Sequence, residues 1–394
     1  MLKSFAVRNF QSFHDQAQIS LVLNKHAPQD DRSLKTPQGS SLTKVLALIG
    51  PNGSGKTTLI QSLVFLAWFI RESFHTQIDA PIPLATHFDA SSEPTEFEIE
   101  FEMDGKDWRY RLVASKTRVY SENLYCKLSR TYSYVFTRDW NPSAKRYDIK
   151  QQQFGFSQKE AERIQENASL LSTAAQYQIP LAMKLCATHV FSNIDILDRD
   201  KLIDNQTQNA SAIYARNEQW RAIMTRLIKD WDLGLSDIRI ECETVTRQNG
   251  EKEKIYIPYG IHRLGKTEHS IMLKHESSGT QAAYILLSQL LPALTNGGLA
   301  IIDELEADLH PHMLTPILNL FFSPETNPQN AQLIFTCHSI EILSLLHKSQ
   351  IVLVEKDQRF QSYAWRLDEV KGIRSDDNLY AKYMGGSYGA IPQL

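Results

Sequence analysis

The sequence predicts an α/β fold with a mostly parallel core sheet, an antiparallel β subdomain and a helical insertion. Three features of the 394-residue chain carry that reading. Val45-Leu46-Ala47-Leu48-Ile49 is apolar throughout and ends at a glycine before a long apolar segment, as a strand buried on both faces and feeding a helix does. From Thr95 to Val113, apolar residues alternate with polar ones (Phe97, Ile99, Phe101, then Trp108, Tyr110, Leu112) around Asp104-Gly105, the pattern of an antiparallel hairpin. Between residues 157 and 232 the spacing of apolar residues changes to three and four, the helical period.

Residues 2–8 and 19–23 read as short strands, and the polar stretch Asn24 to Thr43 reads as a mobile loop. After the loop Gly50–Gly55, residues 56–72 form an apolar helix, and residues 119–150 add further strands. Ser157-x-x-Glu160 has the form of a capping box, opening a helix with Ile164, Ala168, Leu171 and Ala175 on one side. A second helix runs from Leu181 to Phe191. A third carries the stripe Ile213, Trp220, Met224, Leu227 and Trp231, which ordinary core packing explains better than a partner-binding face. Strands return at Ile238 to Val245 and Ile255 to Tyr259, separated by a turn at Asn249-Gly250. A helix at 281–294, a strand Leu299 to Ile302, a helix near 311–322, a strand Leu333 to Thr336 and a helix near 340–347 follow, and this alternation closes the parallel sheet begun at residue 45. The expected units are therefore 1–150, the helical insertion 151–235, and 236–394.

Hydrophobic residues make up 42% and charged residues 22%, which excludes wholesale disorder. A net charge of −3 argues against a generally basic nucleic-acid binder and leaves a local basic patch open. The longest apolar run, Leu63 to Ile70, falls far short of the roughly 18–20 residues of a membrane span. Met1-Leu2-Lys3-Ser4 leads straight into a strand without a secretory signal, and Cys126, Cys186, Cys242 and Cys337 are scattered without a Cys-x-x-Cys pair. The expectation is a soluble cytoplasmic protein with neither a disulfide framework nor a zinc site.

Gly50-Pro51-Asn52-Gly53-Ser54-Gly55-Lys56-Thr57, followed by Thr58, satisfies the phosphate-loop pattern Gly-x4-Gly-Lys-[Ser/Thr]. Its glycines let successive backbone N–H groups curl around phosphates, and the helix beginning at Lys56 presents its positive end there. This points to ATP with Mg²⁺: Lys56 reaches the β- and γ-phosphates, and the Thr57 hydroxyl sits on the metal. Leu299-Ala-Ile-Ile-Asp303-Glu304 is an apolar strand ending in two carboxylates. Asp303 is placed to hold Mg²⁺, and Glu304 to orient or deprotonate the attacking water.

Lys56 and Asp303 stand 247 positions apart. That long excursion resembles the ABC-type heads of chromosome-structure (SMC) and recombination-repair (RecF) ATPases. His275-Glu-Ser-Ser-Gly-Thr-Gln281 is similar to their Leu-Ser-Gly-Gly-Gln signature through Ser278, Gly279 and Gln281, with Thr280 in place of the second glycine. The resemblance implies that the signature of one copy caps the nucleotide on the P-loop of another, hence a homodimer or higher homo-oligomer. A plain Ser-Ser helix cap is the alternative. Leu305-Glu-Ala-Asp-Leu-His-Pro311 resembles the dimer-contacting loop of ABC-like AAA-family members. Leu333-Ile-Phe-Thr-Cys-His338-Ser339 resembles the strand carrying a switch histidine, which makes His338 a contact of the γ-phosphate and of Glu304. Val7-Arg8-Asn9-Phe10-Gln11-Ser12-Phe13 resembles the opening of RecF- and SMC-type heads, where Arg8 or Phe10 would touch adenine if the segment is not simply a structural strand. Gln77 is the glutamine-loop candidate by order alone.

The C-terminal Tyr383-Met-Gly-Gly-Ser-Tyr-Gly-Ala-Ile-Pro392 is similar to the tail of the RloA-like, AbiL-type group of ABC-type AAA-family ATPases, to which the ATPase of the PARIS anti-phage system is also similar. That resemblance implies an ATP-dependent sensor or scaffold with a separate effector protein, often a nuclease, a nucleic-acid or phage trigger, and no membrane. A RecF-type DNA-binding ATPase is the alternative. The 56 residues after His338 are too few for a Toprim nuclease domain, so a nuclease would be a separate chain.

Overall fold

The computed structural model describes residues 1–25, 27–196, 203–246, 252–374 and 377–391. The expected turn at Asn249-Gly250 and Pro392 of the C-terminal segment lie outside them. At the centre is a six-stranded sheet in the order Val190–Ser192, Leu299–Ile302, Gln332–Cys337, Val45–Ile49, Ile351–Lys356, Ser362–Arg366. The first five strands are parallel and the last pairs antiparallel. Every side chain of Val45–Ile49, Leu299–Ile302 and Gln332–Cys337 is buried, which is why Val45–Ile49, Leu299–Ile302 and Leu333–Phe335 read as unbroken apolar runs.

The two faces of this sheet feed two cores, as the two-residue period of a strand demands. Leu46 and Leu48 point to one, with the helix Lys56–Glu72 and a seven-stranded antiparallel sheet. Val45, Ala47 and Ile49 point to the other, with helices Ile203–Arg216, Glu218–Asp230, Ser278–Asn296 and Leu314–Phe322. The antiparallel sheet runs Arg146–Gln151, Tyr132–Asn141, Val119–Lys127, Lys106–Ala114, Thr95–Met103, Leu2–Arg8, Ala17–Ser20. Its Asp104-Gly105 turn has positive φ at both residues (54° and 72°), matching the right-handed twist of the strands it joins. A three-stranded sheet, Asp237–Thr246, Lys252–Leu264 and Thr267–Met272, precedes the helix Ser278–Asn296.

Several local expectations are corrected. Asn24 to Thr43 is not a uniform loop, since Ser33–Lys35 and Ser41–Thr43 pair as a small ribbon. The helix expected from Ser157 is two pieces, Gln158–Ala161 and Leu170–Gln176, and the Ser157 side chain caps neither. The interruption has a tertiary cause: Arg138 Nη1 and Nη2 take the carbonyls of Ala168 (2.7 Å) and Gln165 (2.9 Å), which a continuous helix would have used itself. Ser169 then starts the second piece by accepting from Leu171 N and Ser172 N. The second helix stops at Cys186, and Val190–Ser192 joins the parallel sheet, so a core strand divides the expected insertion. The third breaks at Asn217, which caps Glu218–Asp230 through Trp220 N and places Ile213 and Trp220 on different helices. The first piece of the divided insertion is fastened to the antiparallel sheet by Glu122, fully buried, which accepts from Ser169 Oγ (2.6 Å), Leu170 N (2.7 Å) and Tyr110 Oη (3.1 Å) and lies 3.5 Å from buried Arg138. The four cysteines are unpaired, and no described helix is long and apolar enough to cross a membrane.

Candidate functional site

The loop Gly50–Gly55 turns the chain from a buried strand into a helix. Gly53 and Gly55 have φ of 73° and 109°, values that side chains disfavour. Space is short as well: a Cβ on Gly55 would stand 2.6 Å from Ser362 Oγ and 2.9 Å from Ser12 Oγ, and one on Gly50 only 1.9 Å from Val354 O. The helix Lys56–Glu72 has neither a side-chain cap nor an acidic residue in its first turn, which leaves its first N–H groups to an anion. Ser54 Oγ is buried there without a hydrogen-bond partner, and Asn52 is exposed beside half-buried Pro51. Buried Lys56 donates to the carbonyls of Gly50 (2.7 Å) and Pro51 (2.9 Å). Burial lowers its pKa, and the carboxylates of Asp303, Glu306 and Glu304 oppose that shift.

Four neighbouring parallel strands end at this loop by their C-termini, the usual ligand edge of such a sheet: Val45–Ile49 leads into the loop, Leu299–Ile302 into the acidic residues, Gln332–Cys337 into His338 and Val190–Ser192 into Asn193. Thr57 Oγ1 meets Asp303 Oδ1 and Oδ2 at 3.0 and 3.1 Å. Thr336 Oγ1 donates to Asp303 Oδ1 (2.7 Å) and accepts from Glu304 N (2.7 Å), so one hydroxyl sets both acidic residues. Asn193 brackets the peptide from the other side: its amide nitrogen donates to Asp303 O (2.9 Å), and its oxygen accepts from Asp303 N (2.8 Å). Glu304 has φ of 53°, a left-handed backbone that turns the chain out of the sheet, and its Oε1 lies 3.6 Å from His338 Nε2. Glu306 Oε1 accepts from the backbone of both His338 and Ser339. A second polar chain links Thr58 Oγ1 to Gln11 (3.2 Å), Gln11 to Gln61 (2.6 Å), and Gln61 to the carbonyls of Asp195 and Ile196.

The structure thus gathers Gly50 to Thr58 with Asp303, Glu304 and His338. It places other candidates elsewhere. Arg8 is ion-paired with Glu96 (2.9 Å) and Glu93, which raise its pKa. Phe10 is buried against Phe97 and Phe65, leaving no open ring face for a base. Gln77 lies past the far end of a 17-residue helix, about 25 Å from its start. In the signature segment, Ser277 rather than Ser278 caps the helix, accepting from Thr280 N (3.1 Å) and leaving Ser278 exposed. Thr280 is buried, Gln281 turns back to the Glu276 carbonyl (2.9 Å), and a Cβ on Gly279 would stand 3.2 Å from Asp308 O. The start of this helix therefore packs against the loop 305–311. Sequence reading missed Asn193, Thr336, Glu306, Gln11 and Gln61. Thr336 and Glu306 sit inside recognised motifs, whereas nothing local marks Asn193.

Residues 45–344 match the family described as "AAA domain, putative AbiEii toxin, Type IV TA system". Similar solved structures include an SMC head bound to the C-terminal winged-helix domain of ScpA (12% identity, covering 94% of this chain and 99% of that one, TM-score 0.49). They also include an SMC head with an extended coiled coil bound to the C-terminal domain of ScpA, derived from Pyrococcus furiosus (12%, 93% and 97%, TM-score 0.44). A third is an SMC head with a coiled coil and joint from Pyrococcus yayanosii (11%, 98% and 99%, TM-score 0.46). No curated protein matches the chain. With its phosphate loop set against a strand-end acidic pair, and a family match across most of its length, the chain belongs to this family of AAA-type P-loop ATPase domains.

Proposed function

We propose that the protein binds ATP with Mg²⁺ between two copies of itself and hydrolyses it slowly, as a cytoplasmic sensor or scaffold that controls a separate effector, a nuclease being the best fit, in anti-phage or toxin–antitoxin defence. The observation that supports it most is the convergence of Lys56, Thr57, Asp303, Glu304 and His338 on one loop.

The residues present suit the ligands. The uncapped start of the helix at Lys56, the orphaned Ser54 hydroxyl and the Lys56 ammonium favour phosphate, and Thr57 with Asp303 is a hard-oxygen pair of the type magnesium takes. Magnesium bound there supplies charge neutralisation at the phosphates. Glu304, held outward by its left-handed backbone, accepts the proton of the attacking water. His338 orients Glu304 and the terminal phosphate, and Glu306 fixes the backbone that carries His338. Exposed Ser278 at the start of its helix is suited to cap the phosphates held by the other copy.

Defence and effector control rest on the toxin–antitoxin wording of the matched family and on the RloA/AbiL-type resemblance. The test is Glu304→Gln protein recovered from its native host with ATP and Mg²⁺. ATP binding is expected to persist while turnover falls by about two orders of magnitude or more, and a stoichiometric protein partner should co-purify. Unchanged turnover refutes the role of Glu304. Recovery of DNA without a protein partner, in a salt-sensitive complex, moves the RecF-like reading into first place.

A further inference from the structure

We propose that the protein carries a second ligand site, remote from the phosphate loop, for a medium-chain acyl carboxylate. A cavity of about 390 Å³ lies between the rear half of the helix Lys56–Glu72, the antiparallel sheet and the first helices of the insertion, with Leu66, Ala67, Ile70, Phe101, Leu124 and Leu185 in its walls. None of Gly50–Thr57, Asp303 or Glu304 lines it.

Packing physics says why such a pocket suits an apolar occupant. Protein interiors are filled to the density of organic crystals. A closed apolar cavity of about 150 Å³ takes up benzene, and this half-open pocket, more than twice that size, has room for a longer hydrocarbon chain. Its walls are chiefly apolar, so water is a poor filler and a hydrocarbon body a good one.

The rim says which hydrocarbon. Arg71 stands at the last turn of the helix, exposed, at the cavity edge beside Thr188 and His189. Among the described residues its guanidinium has no ion-pair partner. A planar cation above an apolar chamber matches a carboxylate at the end of an alkyl chain.

The test is titration calorimetry of the full chain with decanoate, with decanol as the uncharged counterpart. Decanoate should bind saturably at one site, about tenfold or more tighter than decanol. Ala67→Phe, at a half-buried wall position, should weaken decanoate about tenfold or more by filling the chamber. Arg71→Gln, at the surface where folding is not at issue, should abolish the preference for decanoate over decanol. Nucleotide binding should stay unchanged in both variants, which separates this site from the ATP reading. The proposal is overturned by absence of saturable decanoate binding up to about 1 mM, by binding indifferent to Ala67→Phe, or by equal affinity for decanol. Sedimentation with phosphatidylglycerol vesicles would assign the surface to membrane lipid instead and overturn the free-acid assignment.

Discussion

Glu306→Ala isolates the device that sets His338. The Glu306 carboxylate accepts two successive N–H groups of the loop after Gln332–Cys337, those of His338 and of Ser339 (3.3 Å). A hydrogen bond to a charged acceptor contributes about 1.5–3 kcal/mol. His338 is 40% exposed, so water recovers part of that and about 1 kcal/mol per bond is the net. Losing both removes about 2 kcal/mol from the conformation in which His338 faces Glu304, or about 30-fold in turnover at saturating ATP. The loop Gly50–Thr57 is untouched, so KM should stay within about twofold. Glu306→Gln keeps an acceptor oxygen in place and should retain turnover within about fivefold of the parent. Phosphate-release kinetics on the parent, both variants and a His338→Ala series decide the matter. In the His338→Ala background Glu306→Ala should add almost nothing, because the group it positions is gone. Turnover of Glu306→Ala within about threefold of the parent, or equal damage from Ala and Gln, would refute the reasoning.

Three further outcomes follow from the geometry. Glu122→Ala leaves the Arg138 charge and the Leu170 N–H buried without their partner, and should lower stability by about 3–5 kcal/mol in urea unfolding; a loss under about 1 kcal/mol would contradict the pairing. Gly55→Ala combines a φ of 109° with a Cβ 2.6 Å from Ser362 Oγ, and should weaken binding of a fluorescent ATP analogue by about tenfold or more, an unchanged affinity counting against the loop geometry. His347 is partly buried, and its Nδ1 accepts from Ser349 N; burial, with Lys348 adding, lowers its pKa from the usual value of about 6.5. The unfolded chain therefore binds more protons below about pH 6.5, and stability falls as pH drops through that window. Urea midpoints for His347→Asn should show a shallower acid loss, and an identical pH slope would exclude the assignment.

The central sheet was legible because its strands are buried on both faces, so Val45–Ile49 and Leu299–Ile302 announce themselves without reference to anything else. The phosphate loop was legible for a related reason: its conformation demands glycines at fixed positions, and the demand is local. What escaped depends on distant partners. The broken helix after Ser157 has good helical spacing, and only Arg138, tens of residues upstream, takes its carbonyls. The 193–196 loop escaped likewise, since Asn193 meets Asp303 across 110 positions. Arg8 read as a candidate base contact because a sequence does not show that Glu93 and Glu96 stand beside it.

These long-range bonds also decide how the site can move. Asp303 holds its side chain against Thr57 and Thr336, while both polar groups of its backbone are bonded to the one amide of Asn193. Two residues on, the carbonyls of Asp195 and Ile196 accept from Gln61, whose own oxygen takes Gln11, which in turn accepts from Thr58. The short loop 193–196 is therefore bonded to the metal-binding candidate and to the phosphate-loop helix at once. Displacing it leaves the N–H and carbonyl of Asp303 without partners in a nearly buried setting, at about 1–3 kcal/mol each. That penalty holds the loop in this one placement, because any displacement forfeits the bonds. The loop follows the outer strand of the parallel sheet, immediately after the Pro180–Cys186 helix of the divided insertion. Asn193 thus ties the end of that outer strand to Asp303 through two hydrogen bonds.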